Sequence, residues 1–384
     1  MLENTPTILQ VLPELRTGGV ERGTVEMANA ITQAGWRALV ASQGGEMVSQ
    51  VLRAGAEHIK LPLASKNPLV IWKNAAILTD IIVKENVSII HARSRAPAWS
   101  ALIAAKRTNI PLVTTFHGTY SAKSRLKKYY NSVMIRGEQV IAVSNFIAEH
   151  IMANYDMDAD KLRVVQRGVD LSKFGIEKIM PTRMAELVQK WHIDNDGLPI
   201  ILLPGRVTRW KGHEFCVRAL AKIPHRNFTC LFVGDEEKHP AFAAKLRELI
   251  KDIGLEGRVR LVGNTPWMNE AYALARLIVT PSIEPEAFGR VPIEAQSVGR
   301  PVIATRHGGA CETIIDAENA QMGKTGWLVA VNDEGELAEK IAEALELDEN
   351  EYQAIAANAV FNVQNNFSSE VMCNKTLNIY QELL

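Results

Sequence analysis

The sequence predicts an α/β protein built from two doubly wound, Rossmann-like domains of parallel sheet. Its 384 residues are more than one ordinary α/β core needs. Apolar runs of strand length alternate with longer amphipathic stretches, and this rhythm begins a second time after one polar segment. Hydrophobic residues make up 47% of the chain and charged residues 22%, so both domains have enough apolar material for a core.

The first half of the chain contains five predicted strands, most of them separated by helical patterns. The first strand is followed by a helix predicted over residues 22–34. Helical crossovers between strands are typical of parallel sheets. The five predicted strands cover residues 7–12, 38–42, 88–91, 112–116 and 139–143.

The second half repeats this pattern, with a further helix predicted over residues 291–298 and ended by Gly299. A polar, irregular segment over 167–197 is the predicted connection. We therefore predict domains at 1–175 and 176–384, with a last helix at about 367–384 that packs back on the first domain. The five predicted strands of this half cover residues 199–203, 229–233, 259–262, 277–280 and 301–305.

The charge of the chain is zero overall but unevenly distributed. Residues 1–175 contain 21 Lys and Arg against 14 Asp and Glu, a net charge of +7, and the remainder carries −7. A basic first domain predicts contact with something anionic, such as a phosphorylated glycan or a lipid headgroup surface. A solvated surface with segregated charges explains the same numbers. We expect no nucleic-acid partner.

The cysteines and the apolar runs indicate a cytoplasmic protein. The chain begins without a basic segment followed by an apolar core, and no apolar run reaches membrane-spanning length, so membrane contact is expected to be peripheral. The cysteines lack metal-ligand spacing and lie in apolar or helical surroundings, which predicts reduced, buried thiols. They are Cys216, Cys230, Cys311 and Cys373.

Two cations follow the first predicted strand of the second half. Arg206 and Lys211 stand five residues apart at a strand-to-helix turn, next to Gly205 and Gly212. A guanidinium can bind phosphate oxygens through two hydrogen bonds, and an ammonium adds a second positive charge. The pattern suits a diphosphate, although two surface cations near a turn are the alternative.

Two carboxylates flank a Phe-Gly turn further along. Glu286 lies in the loop before the predicted helix and Glu294 lies within it. Free N–H groups at the helix start point toward anionic or hydroxylated ligands, and Gly289 permits close backbone approach. Such carboxylates can accept hydrogen bonds from vicinal sugar hydroxyls. The alternative, an acidic loop followed by an ordinary amphipathic helix, explains Glu294 as a solvent-facing residue but leaves the whole pattern to chance.

These two motifs together resemble the donor-binding half of the family 4 retaining glycosyltransferases. The resemblance extends over essentially the whole chain and implies the GT-B fold, in which two Rossmann-like domains face each other across a cleft. It implies that Arg206 and Lys211 hold the donor diphosphate, that Glu294 binds the ribose hydroxyls, and that Glu286 binds the transferred sugar. It also implies that no metal or other cofactor is needed, the nucleotide sugar being a co-substrate.

The first half of the chain also contains residues that match the family pattern. Gly18 and Gly19 precede the first predicted helix, where the family has a glycine-rich loop. The resemblance implies that His117, at the end of a predicted strand, hydrogen-bonds the transferred sugar. Arg167 occupies a position at which the family has asparagine, which puts that polar contact in doubt. The predicted donor-binding residues are Gly18, Gly19, Arg206, Lys211, Gly263, Asn264, Glu286, Ala287, Phe288, Gly289, Arg290 and Glu294, and the predicted catalytic ones are His117, Arg206, Lys211 and Glu286.

The acceptor is expected at the first domain. Arg93 and Arg95 follow a predicted strand and suit an acidic or phosphorylated acceptor, and Ser144 and Asn145 are predicted to line the same wall. The segment 123–130 contains four cations and two tyrosines. That composition is typical of an interfacial segment on anionic lipid. A solvated charged face is the alternative.

The reaction predicted from this resemblance is transfer of a hexose from a UDP- or GDP-linked donor to a hydroxyl of a glycan or glycolipid, with the anomeric configuration kept. Lipopolysaccharide core or cell-surface polysaccharide synthesis is the expected setting. A GT-B epimerase or phosphorylase is the first alternative. A dinucleotide oxidoreductase is a poor one, because neither half has a complete glycine fingerprint followed by the ribose-binding acid.

Overall fold

The chain divides into two units. The computed structural model describes residues 5–16, 18–120, 124–193, 196–225, 227–317 and 322–384. The first unit comprises Met1–Arg167 with Ser369–Leu384, and the second comprises Gly168–Ser368. Each contains one sheet whose strand pairs are all parallel, with helical crossovers. The predicted α/β class with two Rossmann-like sheets is confirmed.

The first unit is a seven-stranded sheet in the order β3-β2-β1-β4-β5-β6-β7. Its strands are β1 (Thr7–Val11), β2 (Arg37–Ser42), β3 (Glu57–Lys60), β4 (Val87–Ala92), β5 (Leu112–Phe116), β6 (Gln139–Ala142) and β7 (Leu162–Val164). Its first six helices are α1 (Gly19–Gln33), α2 (Val48–Arg53), α3 (Pro68–Lys84), α4 (Arg95–Thr108), α5 (Arg125–Asn131) and α6 (Asn145–Asn154), with 3-10 turns at Ser132–Ile135 and Ala159–Lys161.

The strand order of the first sheet reverses between β1 and β4. Every residue of β1 and β5 is buried, as expected of central parallel strands whose two faces are covered by helices. In doubly wound sheets, ligands bind beyond the carboxyl ends of the strands at such a reversal. This edge of the first sheet leads into α1 after β1, α4 after β4 and His117 after β5.

The second unit is a six-stranded sheet in the order β10-β9-β8-β11-β12-β13. Its strands are β8 (Ile200–Pro204), β9 (Thr229–Val233), β10 (Val259–Gly263), β11 (Leu277–Thr280), β12 (Val302–Thr305) and β13 (Gly326–Val329). Its helices are α7 (Pro181–Lys190), α8 (His213–Ala221), α9 (Pro240–Asp252), α10 (Met268–Leu274), α11 (Arg290–Ser297), α12 (Ala310–Thr313), α13 (Glu334–Glu346) and α14 (Glu349–Asn366), with 3-10 turns at Ile176–Lys178 and Arg209–Lys211.

The last helix, α15 (Ser369–Gln381), belongs to the first unit although it follows the second in the chain. The Tyr380 hydroxyl lies 2.6 Å from His91 Nδ1, and Arg163 forms an ion pair with Glu382 at 2.9 Å. The stretch 168–175 groups with the second unit, where the Val169 N–H donates to the Phe367 carbonyl at 2.8 Å.

Some elements differ from the sequence predictions. Strands β3, β7 and β13 were not predicted; each is at a sheet edge, and β3 and β7 are partly exposed and therefore lack a continuous apolar run. The segment predicted to be irregular contains α7, because Leu187 gives that helix a buried face. Cys311 is exposed, in contrast to the prediction, because it lies on the short helix α12 outside the hydrophobic clusters.

Within the part of the chain that the structure describes, no helix combines the length and apolarity needed to span a bilayer.

Candidate functional site

Glycines at or directly after the ends of three strands of the second sheet, β8, β9 and β10, pack against one another. The Gly205 N–H donates to the Val233 carbonyl at 2.9 Å, and the Gly234 N–H donates to the Gly263 carbonyl at 3.0 Å. A Cβ atom on Gly234 would lie 1.8 Å from the Gly205 carbonyl oxygen, so only glycine fits there. These contacts fix the loops at the carboxyl edge of the sheet, where doubly wound folds bind ligands.

The predicted cation motif and the predicted acidic motif meet at this edge. Lys211 Nζ lies 2.7 Å from Glu286 Oε1, and the two residues are 75 positions apart in the chain. The Lys211 side chain is only 12% exposed. The Ser282 hydroxyl donates to the same carboxylate oxygen at 2.7 Å. Two of the predicted catalytic residues are therefore held in fixed contact.

The indole of Trp210 joins the two predicted phosphate-binding cations. Lys211 Nζ lies 4.5 Å from its ring centroid, and the Arg206 guanidinium carbon lies 5.8 Å from it. An aromatic face attracts both charges and limits their rotamers. Arg206 itself is exposed. Trp210 was not predicted as a site residue, although an aromatic residue between two spaced cations is a signal that the sequence contained.

Two further side chains hold the backbone of Ser282, the residue that donates to Glu286. The Ser282 carbonyl accepts hydrogen bonds from the Thr305 hydroxyl and from His307 Nε2, both at 2.6 Å. These residues border a small concavity lined by Thr280, Ser282, Glu286, Gly289, Pro292, Thr305, His307 and Ala310. Sequence reasoning missed Thr305 and His307, because only the fold brings β12 beside the 281–287 loop.

Glu294 is a buried carboxylate with 7% of its surface exposed, so the alternative view of it as a solvent-facing residue is wrong. The Tyr272 hydroxyl donates to its Oε2 at 3.0 Å, and Arg290 Nε lies 3.4 Å from its Oε1. Each carboxylate oxygen is thereby oriented by one neighbour. Tyr272 is on α10 and was not predicted as a site residue.

The turn before α11 has the backbone geometry expected of a close approach. Gly289 has φ +76° and precedes the first residue of the helix. The Phe288 ring is buried against Phe367, with centroids 5.9 Å apart. The Gly309 N–H donates to the Glu286 carbonyl at 2.9 Å and closes the loop from the other side.

The remaining predicted donor contacts lie at loop ends of both units. Gly263 has φ +73° at the end of β10, and Asn264 after it is exposed. In the first unit, Gly18 is the N-cap of α1 and Gly19 is its first residue. Thr17, beside them, lies outside the described residues.

His117 follows β5 and has a defined partner on one side of its ring. Arg167 Nη2 donates to His117 Nδ1 at 3.0 Å. The other nitrogen, Nε2, is buried and has no hydrogen-bond partner among the residues that the structure describes. Burial holds the pKa of His117 well below its usual value, and the positive charge of Arg167 lowers that pKa further. The imidazole is therefore neutral at physiological pH.

The predicted acceptor-binding residues divide into two groups. Arg93 is 6% exposed and donates to the Gln10 side chain at 3.1 Å, so it stabilises the interior of the first unit. The Ser144 hydroxyl accepts the Ile147 N–H at 3.0 Å and caps α6. Arg95 and Asn145 are more accessible. The acceptor prediction therefore depends chiefly on Arg95 and Asn145.

The predicted interfacial segment forms α5, apart from Lys123, which lies outside the described residues. Leu126 and Tyr129 are 82% and 60% exposed. The Arg136 guanidinium carbon lies 5.2 Å from the Trp99 ring centroid and 5.3 Å from that of Tyr129. This surface presents exposed apolar side chains beside cations.

Among the described residues, no group of three His, Cys, Asp or Glu side chains is placed to hold a metal ion.

Comparisons with known proteins match both halves of the chain. Residues 17–173 match the family model described as Glycosyltransferase Family 4, and residues 186–360 match the one described as Glycosyl transferases group 1. A glycosyltransferase from Rickettsia africae is 43% identical with a TM-score of 0.90, and the likeness covers 99% of both chains. The predicted GT-B fold is thereby confirmed.

Curated relatives are more distant. A lipopolysaccharide core biosynthesis mannosyltransferase, LpcC of Rhizobium leguminosarum, is 29% identical over 77% of this chain and 78% of its own length. A D-inositol 3-phosphate glycosyltransferase of Corynebacterium efficiens is 27% identical over 71% of this chain. The match spans 66% of the length of that relative, and 59% and 58% of the lengths of two others of the same name.

Proposed function

This chain belongs to glycosyltransferase family 4, and from that premise we propose that it transfers a hexose from a nucleoside diphosphate sugar to a hydroxyl of a glycan or glycolipid. The observation that carries the proposal is the contact between Lys211 and Glu286. In this contact a cation suited to a diphosphate lies beside a carboxylate suited to sugar hydroxyls, at the edge of the sheet where doubly wound folds bind ligands. A donor in which a diphosphate adjoins a sugar matches both groups.

Each part of the donor has a proposed partner in the second unit. Arg206 and Lys211 bind the diphosphate and offset the negative charge that develops on the departing nucleotide. Glu294, oriented by Tyr272 and Arg290, accepts hydrogen bonds from the ribose hydroxyls. Glu286 accepts them from the transferred sugar. We expect turnover to need no added metal, because these two cations supply the neutralising charge, and activity in excess EDTA tests this directly.

The proposed reaction retains the anomeric configuration. Lys211 and Ser282 both engage Glu286, so this carboxylate is suited to hold hydroxyls in place. In the proposed mechanism the acceptor hydroxyl attacks the face that the phosphate leaves, and a phosphate oxygen takes its proton. Most of the acceleration then comes from positioning the two substrates and from neutralising charge.

The acceptor proposed is a lipopolysaccharide core intermediate or a related cell-surface glycan. The similarity to the Rhizobium core mannosyltransferase supports this class. Arg95, on the first turn of α4, supplies a positive charge for an acidic or phosphorylated acceptor. Mannose, glucose and galactose are the candidate sugars, carried by UDP or GDP.

We propose peripheral contact with an anionic membrane through α5. The exposed Leu126 and Tyr129 can enter the headgroup region while the neighbouring cations bind acidic lipid. Sedimentation with vesicles of phosphatidylglycerol should bring the protein down, and vesicles of phosphatidylcholine should not. Leu126→Glu should weaken this binding, and equal sedimentation of the variant would reject α5 as the contact.

Thermal-shift screening tests the donor proposal. A ligand that binds only the folded protein raises its melting temperature, so one of the UDP-, GDP- or ADP-sugars should do so. Arg206→Ala should abolish the shift, whereas Arg209→Ala, which removes a neighbouring exposed cation, should keep it. Absence of a shift with every donor, or a shift unaffected by Arg206→Ala, would contradict the proposed site. Incubation with donor alone tests the epimerase alternative, since epimerisation needs no acceptor.

A further inference from the structure

We propose that Arg167 is a positioning residue that holds His117 in the tautomer with its proton on Nε2, so that His117 presents a hydrogen-bond donor to an oxygen of the bound substrate. This inference rests on the proposed function. It concerns a motif position at which the chain departs from the family pattern, with arginine in place of asparagine.

The direction of the hydrogen bond follows from the chemistry of the guanidinium. Arg167 Nη2 and His117 Nδ1 are 3.0 Å apart. A guanidinium has only donors, so Nδ1 must supply the lone pair and cannot carry the proton. In a neutral imidazole the proton is then on Nε2. An asparagine side chain has both an acceptor and donors, so it does not impose this tautomer.

The ring is kept neutral by its surroundings. Burial is the main cause, and three further positive or ionisable groups face the ring: Arg167, Arg93 after β4, and His91 on β4. Tyr120 lies on the same loop and interacts with the His117 backbone. None of these groups supplies a carboxylate that would stabilise an imidazolium. The ring therefore acts as a neutral donor and not as a general acid that cycles between charge states.

The Nε2–H group has no partner of its own. This nitrogen is buried without a hydrogen-bond acceptor within the described ranges of the chain. A buried donor left unsatisfied destabilises a protein, and a ligand oxygen that accepts its hydrogen bond would relieve this on binding. The position of His117 at the carboxyl end of β5 is where a doubly wound sheet places ligand contacts. A sugar hydroxyl, or a phosphate oxygen of the donor, is an acceptor of the required kind.

Nitrogen NMR of the full-length protein tests the tautomer without reference to activity. Selective ¹⁵N labelling gives signals for the nine histidines, and the His117 signal is the one missing from His117→Gln. The expected result at neutral pH is an unprotonated Nδ1 and a protonated Nε2. A protonated Nδ1 in the wild-type protein would overturn the proposal even if the protein transfers sugar normally.

Variants of Arg167 test whether this residue sets the tautomer of His117. Arg167→Met should give a mixture of His117 tautomers and raise the pKa of His117. Because one hydrogen bond to the substrate is then weakened, kcat should fall about tenfold while KM for the donor changes little. Arg167→Lys, which keeps a donor and a charge, should recover part of kcat. Arg163→Met removes a nearby arginine that instead contacts Gln139 and Glu382, and should leave the tautomer and kcat unchanged.

Two results would overturn the proposal that Arg167 sets the tautomer of His117. An Arg167→Met protein with the wild-type tautomer would show that Arg167 does not set it. Lost donor affinity with an unchanged tautomer would make Arg167 a binding residue. Failure of the proposed function is a separate outcome, because it would appear as no donor turnover by a wild-type protein whose His117 carries its proton on Nε2.

Discussion

His213 is a fully buried imidazole at the start of α8, two residues after Lys211. Its ring lies edge-on to Phe232, with centroids 5.1 Å apart. Burial, with a smaller contribution from Lys211, lowers the pKa of His213 from 6.5 to about 4. Because the neutral ring is the folded form, this core position makes the second unit sensitive to acid.

The direction of this pH dependence follows from the difference between the His213 pKa in the unfolded chain and in the folded protein. The unfolded chain takes up a proton near pH 6.5 and the folded protein only near pH 4, so stability is full above pH 6.5 and falls as the pH drops toward 4. The loss attributable to His213 reaches about 3 kcal/mol. His213→Phe should flatten this dependence in urea unfolding measured at several pH values. An unchanged pH slope would contradict the assignment; His91 and His117 keep their own acid sensitivity in both proteins.

Single residues also show the limits of sequence reasoning. Glu286 and Lys211 could each be identified as a candidate site residue from motif resemblance, since each stands in a local pattern after a strand. Tyr272 and His307 could not, because neither belongs to a local motif; their partners, Glu294 and the Ser282 carbonyl, are 22 and 25 positions away in the chain. Only the adjacency of α10 to α11, and of β12 to β11, brings them together.

Among the elements, the turn between the 3-10 segment Arg209–Lys211 and α8 depends on Gly212. This glycine has φ +74°, and a Cβ atom would lie 1.8 Å from the Pro281 carbonyl oxygen. The turn therefore packs directly on the loop that contains Glu286. Close packing of these two backbones holds Lys211 at its distance from that carboxylate.

Gly212→Ala should disrupt this contact. The left-handed backbone and the clash together should lower the free energy of unfolding by roughly 2 kcal/mol or more. Gly257→Ala is the matched control, since nothing lies within 4 Å of its added Cβ. Thermal or urea unfolding of both variants provides the measurement. Equal stabilities would show that the turn tolerates a side chain and that the backbone contact is not essential.

Element boundaries were predictable where the pattern was strong. The predicted helix over 291–298 is observed at Arg290–Ser297, and the strand over 112–116 is observed as predicted. The β3 strand escaped prediction because its four residues are all at least partly exposed. The α7 helix escaped because its buried face is narrow and the surrounding segment is polar.

For the whole molecule, the path of the chain makes the first unit depend on its last residues. Helix α15 adds Cys373, Ile379 and Tyr380 to the core that contains β1 and α1. The Tyr380 hydroxyl and the Thr115 hydroxyl, 2.6 and 2.7 Å away, contact the two nitrogens of the fully buried His91. The amino-terminal unit is therefore completed only after the second unit has been synthesised.

Tyr380→Phe tests whether the stability of the first unit depends on the contacts of α15. It leaves His91 Nδ1 without its partner, and the free energy of unfolding should fall by about 1–3 kcal/mol. Tyr129→Phe removes an exposed hydroxyl and should have little effect. Urea unfolding of the two variants provides the comparison. A Tyr380→Phe protein as stable as the wild type would show that the buried contact does not hold α15 in place.

The most direct test of the proposed function is donor turnover by Lys211→Ala and Glu286→Ala, with the nucleotide sugar that wild-type protein accepts best. The roles proposed for these groups, on the diphosphate and on the transferred sugar, predict that rates fall by about 100-fold or more while both proteins remain folded. Arg209→Ala should turn over at the wild-type rate. Near-normal turnover by either folded variant would contradict a site built on the Lys211–Glu286 contact.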